Sequence, residues 1–349
     1  MSDNASESEQ KQQMEKIFIS ADVWYGVFAF LCPFELGQIM ALISDRLDVL
    51  VDVHFKSRKW PLGRLYIHRA IDGNGAQIFV KSSGERQPIP EGPLPDNVID
   101  FKRIQISYID RSVIEFLQCI RRLFDSTGIN VEIVTTPFNQ SRSWEIIWQN
   151  IWPLVNDNIC GFLLLPSKFN HFRQFSPAVL RNCAKLRTID SRGLFPEFPA
   201  EDNANASYSQ AVAKWLLTPR GDGLPKMLYC RYCLAQMDGL KGSFVNASEP
   251  VNFIMSFCFD DEDFVPFELK NNLTGEQLTV RQIDKYKWLL VRCPIGREED
   301  KWAKWEKKAI GWKWRRQWNR IGITFKDGDI GDGMVDEKAG PSEPKKPKN

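Results

Sequence analysis

The stretch that most limits how this chain can fold is 17–55, IFISADVWYGVFAFLCPFELGQIMALISDRLDVLVDVHF, where apolar residues recur at helical spacing three times in under forty residues. Ser20 offers an N-cap for a first helix, and Val23, Trp24, Val27, Phe28, Phe30 and Leu31 spread over more than one side of it. Cys32-Pro33 ends that helix, because the residue before a proline is driven out of the helical region, and Pro33 suits the first turn of the next. Leu36, Ile39, Met40 and Ile43 form a second stripe at i, i+3, i+4 and i+7. Ser44 and Asp45 cap a third helix carried by Leu47, Leu50, Val51 and Phe55. A segment below ~40 residues cannot enclose its own core without a metal, a disulfide or a partner. Its apolar surface is therefore expected to dock on something else, which points to assembly rather than catalysis.

At 349 residues the chain has room for one large or two ordinary domains. Its 43% hydrophobic and 26% charged content is ordinary for a globular protein, and a net charge of +2 supplies no global field for nucleic acid. MSDNASESEQKQQMEK carries no apolar signal core, and no run approaches the ~20 apolar residues that span a bilayer. The expected setting is cytoplasmic or nuclear, with neither nucleic acid nor membrane as partner. In a reducing compartment the cysteines are expected as buried thiols. Cys230 and Cys233 form the one Cys-x-x-Cys pair, and no second ligand pair at zinc spacing accompanies it, so no metal is expected.

Residues 1–15 read as disordered and 58–100 as a linker with a hairpin, Arg64 to Arg69 pairing with Gln77 to Lys81 across Asp72-Gly73-Asn74-Gly75. From 101 a strand–helix rhythm sets in. Strands are expected at Arg103–Ile109, Val131–Thr135, Cys160–Leu165, Leu186–Asp190, Lys226–Tyr232 and Val251–Phe259. Helices fall between them, among them Ser112–Phe124, Pro177–Cys183 and Ser209–Leu217. Steps of about 25 to 30 residues approach a leucine-rich-repeat period, with parallel strands and outside helices. Leu180 to Ile189 is locally similar to such a repeat unit; an ordinary α/β sheet is the alternative. From 264 the pattern becomes an antiparallel meander, then a helix within Glu298–Trp318, then Arg320–Phe325 as a last strand closing the sheet. Residues 326–349 read as a disordered tail.

Residues 301–320, KWAKWEKKAIGWKWRRQWNR, mix tryptophan with lysine and arginine, as a single-strand or membrane surface would. Yet Trp302, Trp305, Ala309 and Trp312 lie on one helical face, which favours core packing with lysine stems at the rim. Asp327, Asp329 and Asp332 lack the full calcium-loop ligand series. The histidines, His54, His68 and His171, fall in no metal or nucleophile motif, and there is no phosphate-cradling glycine loop. Nucleophile and base need not be near in sequence, so a Cys–His pair such as Cys160 with His171 could meet in space, but nothing in the sequence indicates that they do. No catalytic residue, cofactor or enzyme activity is expected.

The helical stretch resembles an F-box. Phe30-Leu31, Pro33-Phe34-Glu35-Leu36 and Ala41-Leu42-Ile43-Ser44 fall in register with that family's pattern, and Arg46-Leu47 stands near its basic-tryptophan pair. Ile19-Ser20 replaces the usual Leu-Pro, and Leu47 replaces the aromatic residue. The likeness covers about an eighth of the chain, and the layout beyond it resembles, more loosely, nematode F-box proteins with a large C-terminal α/β region. The resemblance implies an F-box at 16–57 and a substrate-binding α/β domain at 101–325. It also implies a non-catalytic, substrate-recruiting role, docking a Skp-family adaptor and through it a cullin. The docking residues so expected are Ser20, Val23, Phe28, Leu31, Pro33, Phe34, Leu36, Met40, Ile43 and Leu47. The cargo is expected to be a protein, and its binding surface is unknown. The alternative is a stand-alone interaction scaffold with these helices packed internally.

Overall fold

A computed structural model describes residues 19–31, 36–57, 59–81, 84–135, 140–191, 193–231, 234–258 and 264–334. The chain divides into two units, Met1–Trp60 and Pro61–Asn349. In the first, helix α1 (Ala21–Phe28) follows Ser20, whose backbone is extended as an N-cap requires although its hydroxyl makes no capping bond. A π-helical turn, Leu36–Met40, runs into Ala41–Ile43 (together α2). The wider π turn breaks the expected single stripe, so that Leu36 turns inward while Ile39 and Ile43 turn out. Helix α3 (Asp45–Ser57) begins at Ser44, whose hydroxyl accepts the Leu47 N–H at 3.3 Å. Phe28, Leu36, Leu47, Val51, Phe55 and Trp60 form a core. His54 lies among rings, stacked on Tyr25 at 5.8 Å and tilted against Trp60 at 4.8 Å. The unit thus encloses a small core of its own, against expectation, and Trp60, beyond the third stripe, helps to fill it.

The second unit is built on one mixed sheet. Its strands are β1 (Arg64–Arg69), β2 (Ala76–Val80), β3 (Arg86–Pro88), β4 (Arg103–Ile106), β5 (Ile129–Ile133), β6 (Ile159–Leu163) and β7 (Thr188–Asp190). There follow β8 (Lys226–Arg231), β9 (Phe253–Cys258), β10 (Phe267–Asn271), β11 (Glu276–Gln282), β12 (Lys287–Pro294) and β13 (Arg320–Ile323). Their spatial order is β10-β11-β12-β9-β8-β7-β6-β5-β13-β4-β1-β2-β3. The eight strands from β9 to β1 pair in parallel. The hairpin at one end and the meander at the other pair antiparallel.

The segment 58–100, expected as a linker with a hairpin, is built into the sheet: the hairpin forms as β1 and β2, and Arg86–Pro88 adds β3 beside it. The last strand, β13, does not close an edge but threads between β4 and β5. Asn319 seats it there with φ 52°, a left-handed conformation that asparagine tolerates. Its side chain accepts the Phe101 N–H at 2.9 Å and donates to Thr127 Oγ1 at 2.5 Å, tying both neighbouring segments. And residues 326–334 are ordered. Asp327 accepts from the Ser143 N–H at 2.8 Å and its hydroxyl at 2.6 Å, capping a helix start, while Ile330 bridges to Ile109.

The helices between strands are α4 (Arg111–Cys119), α5 (Arg121–Thr127), α6 (Ser141–Ile146, π-helical Ile147–Ile151 and Trp152–Val155), α7 (Pro166–Phe175), α8 (Tyr208–Leu217) and α9 (Leu234–Val245). Helix α7 was not expected from the sequence, and Pro177–Cys183, expected as a helix, is a series of turns. Pro166 opens α7, and Phe172 packs on Phe162 of β6 and Trp152 of α6, so this stripe takes the buried position. Arg173 then pins the following chain through the carbonyls of Ala206 and Asn203 at 2.5 and 2.7 Å. Helix α10 (Glu299–Ile310) lies on the opposite face, where Trp302 and Ala309 pack with Met227, Ile254, Leu289 and Val291. The tryptophan-basic stretch is therefore core packing there, as its spacing indicated.

Candidate functional site

The first unit carries apolar side chains on two sides of its helices. On α1, Trp24, Tyr25 and Phe28 turn toward the core, while Val23 and Val27 are exposed, as are Ile19 before the helix and Phe30 after it. Phe30 is 91% exposed. Ile39, Leu42 and Ile43 of α2 and Val49 and Val53 of α3 are exposed as well. Spacings of three and four place such residues in contiguous rows on a helix surface. Exposed apolar residues gathered on a surface carry more meaning than ones scattered singly.

The ten expected docking residues separate into groups. Val23 and Ile43 are exposed and apolar, and Ser20 is exposed at the head of α1. Leu31 and Met40 are half-buried against the core. Phe28, Leu36 and Leu47 are interior to the unit, so a partner meets none of them directly. Pro33 and Phe34 lie outside the described residues. Val27, Ile39, Leu42, Val49 and Val53 belong to the outer surface and escaped the sequence-derived set. The signal for them was present: each lies three or four residues from another apolar residue on the side away from the core stripe.

Elsewhere, Cys160 and His171 are held by separate contacts. The Cys160 thiol donates to the Ile129 carbonyl at 3.2 Å and burial pushes its pKa up, while His171 stacks on Trp144 at 5.3 Å. A thiol so held has little thiolate character. Burial likewise pushes up Cys230; its Cys-x-x-Cys partner Cys233 lies outside the described residues. No group of three or more His, Cys, Asp or Glu among the described residues is placed to hold a metal ion. No helix among them is long and apolar enough to cross a membrane.

Among the clefts of the second unit, two hold titratable groups with distinct roles. One, of ≈ 410 Å³, includes Lys185, Trp215, Arg220 and Lys226, at the amino ends of β7 and β8. The Lys226 ammonium is buried there and donates to the carbonyls of Trp215 and Thr218. Burial, then the Arg220 cation, bring its pKa down to about 7. The other, of ≈ 780 Å³, lies beyond the carboxyl ends of β1 and β4 and includes Arg69, Tyr108, Asp110 and Arg111. Asp110 is committed there as the cap of α4, accepting from Val113 N–H at 3.1 Å.

The fold and these surfaces define a mixed α/β protein with a small helical unit ahead of a thirteen-stranded sheet. No family model, no curated protein and no solved structure matches the chain.

Proposed function

We propose that this chain is a non-catalytic, substrate-recruiting adaptor of a Skp–cullin–F-box ubiquitin ligase. The helices before Trp60 dock a Skp-family adaptor, and the strand–helix region, read as leucine-rich-repeat-like, receives a protein target. The observation that carries this reading is the outer apolar surface of α1 to α3, which remains exposed although the unit has a core of its own. Such an adaptor performs no chemistry; it raises the effective concentration of a captured protein beside the conjugating enzyme. A stand-alone scaffold with its helices packed internally is the second reading, and the same exposed surface disfavours it.

The test is capture of a purified Skp-family adaptor by the full chain. Val23→Asp with Ile43→Asp is expected to abolish capture while the helical content stays unchanged, because both residues already face solvent. Wild-type recovery by that double variant, or no recovery by the wild-type chain, would sink the reading.

A further inference from the structure

Across β1, β4 and β13 the first residue of each strand is an arginine. Arg64 is paired in register with Arg103, and Arg103 with Arg320, so three guanidinium side chains leave one face of three adjacent strands in a single row. Neighbouring strands lie ~4.8 Å apart, so the row spans only about 10 Å at the backbone. Like charges directly opposite one another destabilise a sheet. Lys102 adds a fourth cation, and its pKa is lowered by burial and then by Arg320 and Arg64. Arg320 is lowered too, by burial and then by Arg103, with Glu132 and other charges acting after these.

The surroundings answer little of this charge. Glu132 is the carboxylate in the row, 3.6 Å from Arg103 Nη2, and it also accepts from Trp314 Nε1 at 3.3 Å. Arg103 Nη2 donates to Gln105 as well, while Arg103 Nε is buried with no hydrogen-bond partner. Arg320, itself buried, donates from Nε to the Gln317 carbonyl at 3.1 Å, and Lys102 Nζ reaches the Arg316 carbonyl at 3.5 Å and lies 4.5 Å over the Trp318 ring. Arg64 is exposed. Gly322 on the intervening strand leaves the room this needs: a Cβ there would stand 2.6 Å from Gln105 Oε1 and 3.3 Å from Arg103 Nη2.

We infer that the Arg64–Arg103–Arg320 row, with Lys102, is a binding site for a doubly charged phosphoryl group, that is, a phosphate monoester. Guanidinium forks match phosphoryl oxygens in geometry and charge. Four cations against one carboxylate leave an excess that a dianion offsets better than the single charge of a nucleic-acid diester. The short row also favours one compact anion over a strand, whose phosphates need a track of cations. This site goes beyond the docking reading and does not depend on it; it lies wholly in the second unit.

Calorimetric titration of the full chain with O-phosphoserine, inorganic phosphate and an oligouridine tests it. O-phosphoserine and inorganic phosphate are expected to bind, serine is not, and affinity should rise from pH 5 to 7 as the second phosphate proton, with a pKa of ≈ 6, is lost. Equal binding of the two phosphates assigns the site to the phosphoryl group alone; tighter binding of the ester assigns part of it to the carrier. Arg64→Gln is expected to weaken O-phosphoserine by at least about tenfold. It should raise, not lower, the melting temperature of the ligand-free protein, because it relieves repulsion; a merely structural arginine would do the reverse. Undiminished binding by both Arg64→Gln and Arg103→Gln would overturn the inference. So would preferred binding of oligouridine over both phosphates, or no binding of either phosphate.

Discussion

The two units handle apolar surface in opposite ways. Among the described residues, the helical unit before Trp60 leaves nine large hydrophobic side chains exposed, Ile19 through Val53, and the far larger sheet unit leaves ten. In the sheet unit those ten are spread along the sequence from Ile71 to Trp318, and even a formal charge pair is taken inside: Arg292 and Glu276 meet at 2.6 Å, with side-chain exposures of 2% and 1%. Glu276 also accepts the Val251 N–H at 2.8 Å, and Arg292 donates to the Glu249 carbonyl at 3.1 Å. One unit is finished as a fold; the other is finished only in its core. That difference teaches that a core and a covered outer surface are separate properties of a unit.

The contrast can be broken from either side. The largest effect is expected from Glu276→Ala, which strands a buried guanidinium and should cost ~3–5 kcal/mol, read as a lowered urea midpoint of the full chain. Phe28→Ala should cost up to a similar ~3–5 kcal/mol, but locally. Hydrogen exchange should lose protection in α1 to α3 while β4 to β9 keep theirs; loss in both would erase the division into units. A pH dependence comes next. Lys226 has a folded pKa of about 7 against an ordinary 10.5, so between those values the unfolded chain binds the extra proton. Stability should therefore rise with pH across that window, and Lys226→Met should remove that part of the slope in thermal melts. Asp327→Ala removes the cap on α6 and should cost ~1 kcal/mol, measured by denaturant unfolding. The smallest effect on folding is expected from Val23→Ser with Ile43→Ser, each within about 0.5 kcal/mol. If those two changes destabilise the chain by several kcal/mol in urea, the outer surface is not free.

Much of this fold was legible as periodicity. The alternation Arg103-Ile104-Gln105-Ile106 located β4, and the helix expected at Ser209–Leu217 is α8, which the structure starts one residue earlier behind a Ser207–Gln210 capping box. Helix α10 could be read as buried from its tryptophan spacing. Long-range pairing was not legible. Nothing local in Arg320–Ile323 distinguishes an edge strand from a central one, because its place is set by Asn319 reaching Phe101 and Thr127, far off in sequence. The charged stretch from Asp327 read as tail for a similar reason: its carboxylate is satisfied by Ser143. At the helical surface, the stripes were plain but their inner and outer sides were not. Phe28 and Leu36 looked no different from Val23 and Ile43 until the π turn and Trp60 fixed which side closed. The arginine row was invisible, since each member sits alone in its own segment.

The position of β13 has a consequence for synthesis. A growing chain emerges from the ribosome amino end first, so β4 and β5 leave long before the strand that belongs between them is made. Until residue 323 has emerged, the sheet has two facing raw edges with unpaired backbone groups, the condition that invites pairing with other chains. A premature stop anywhere ahead of Arg320 would not merely shorten this protein; it would release a chain whose sheet is open at its middle.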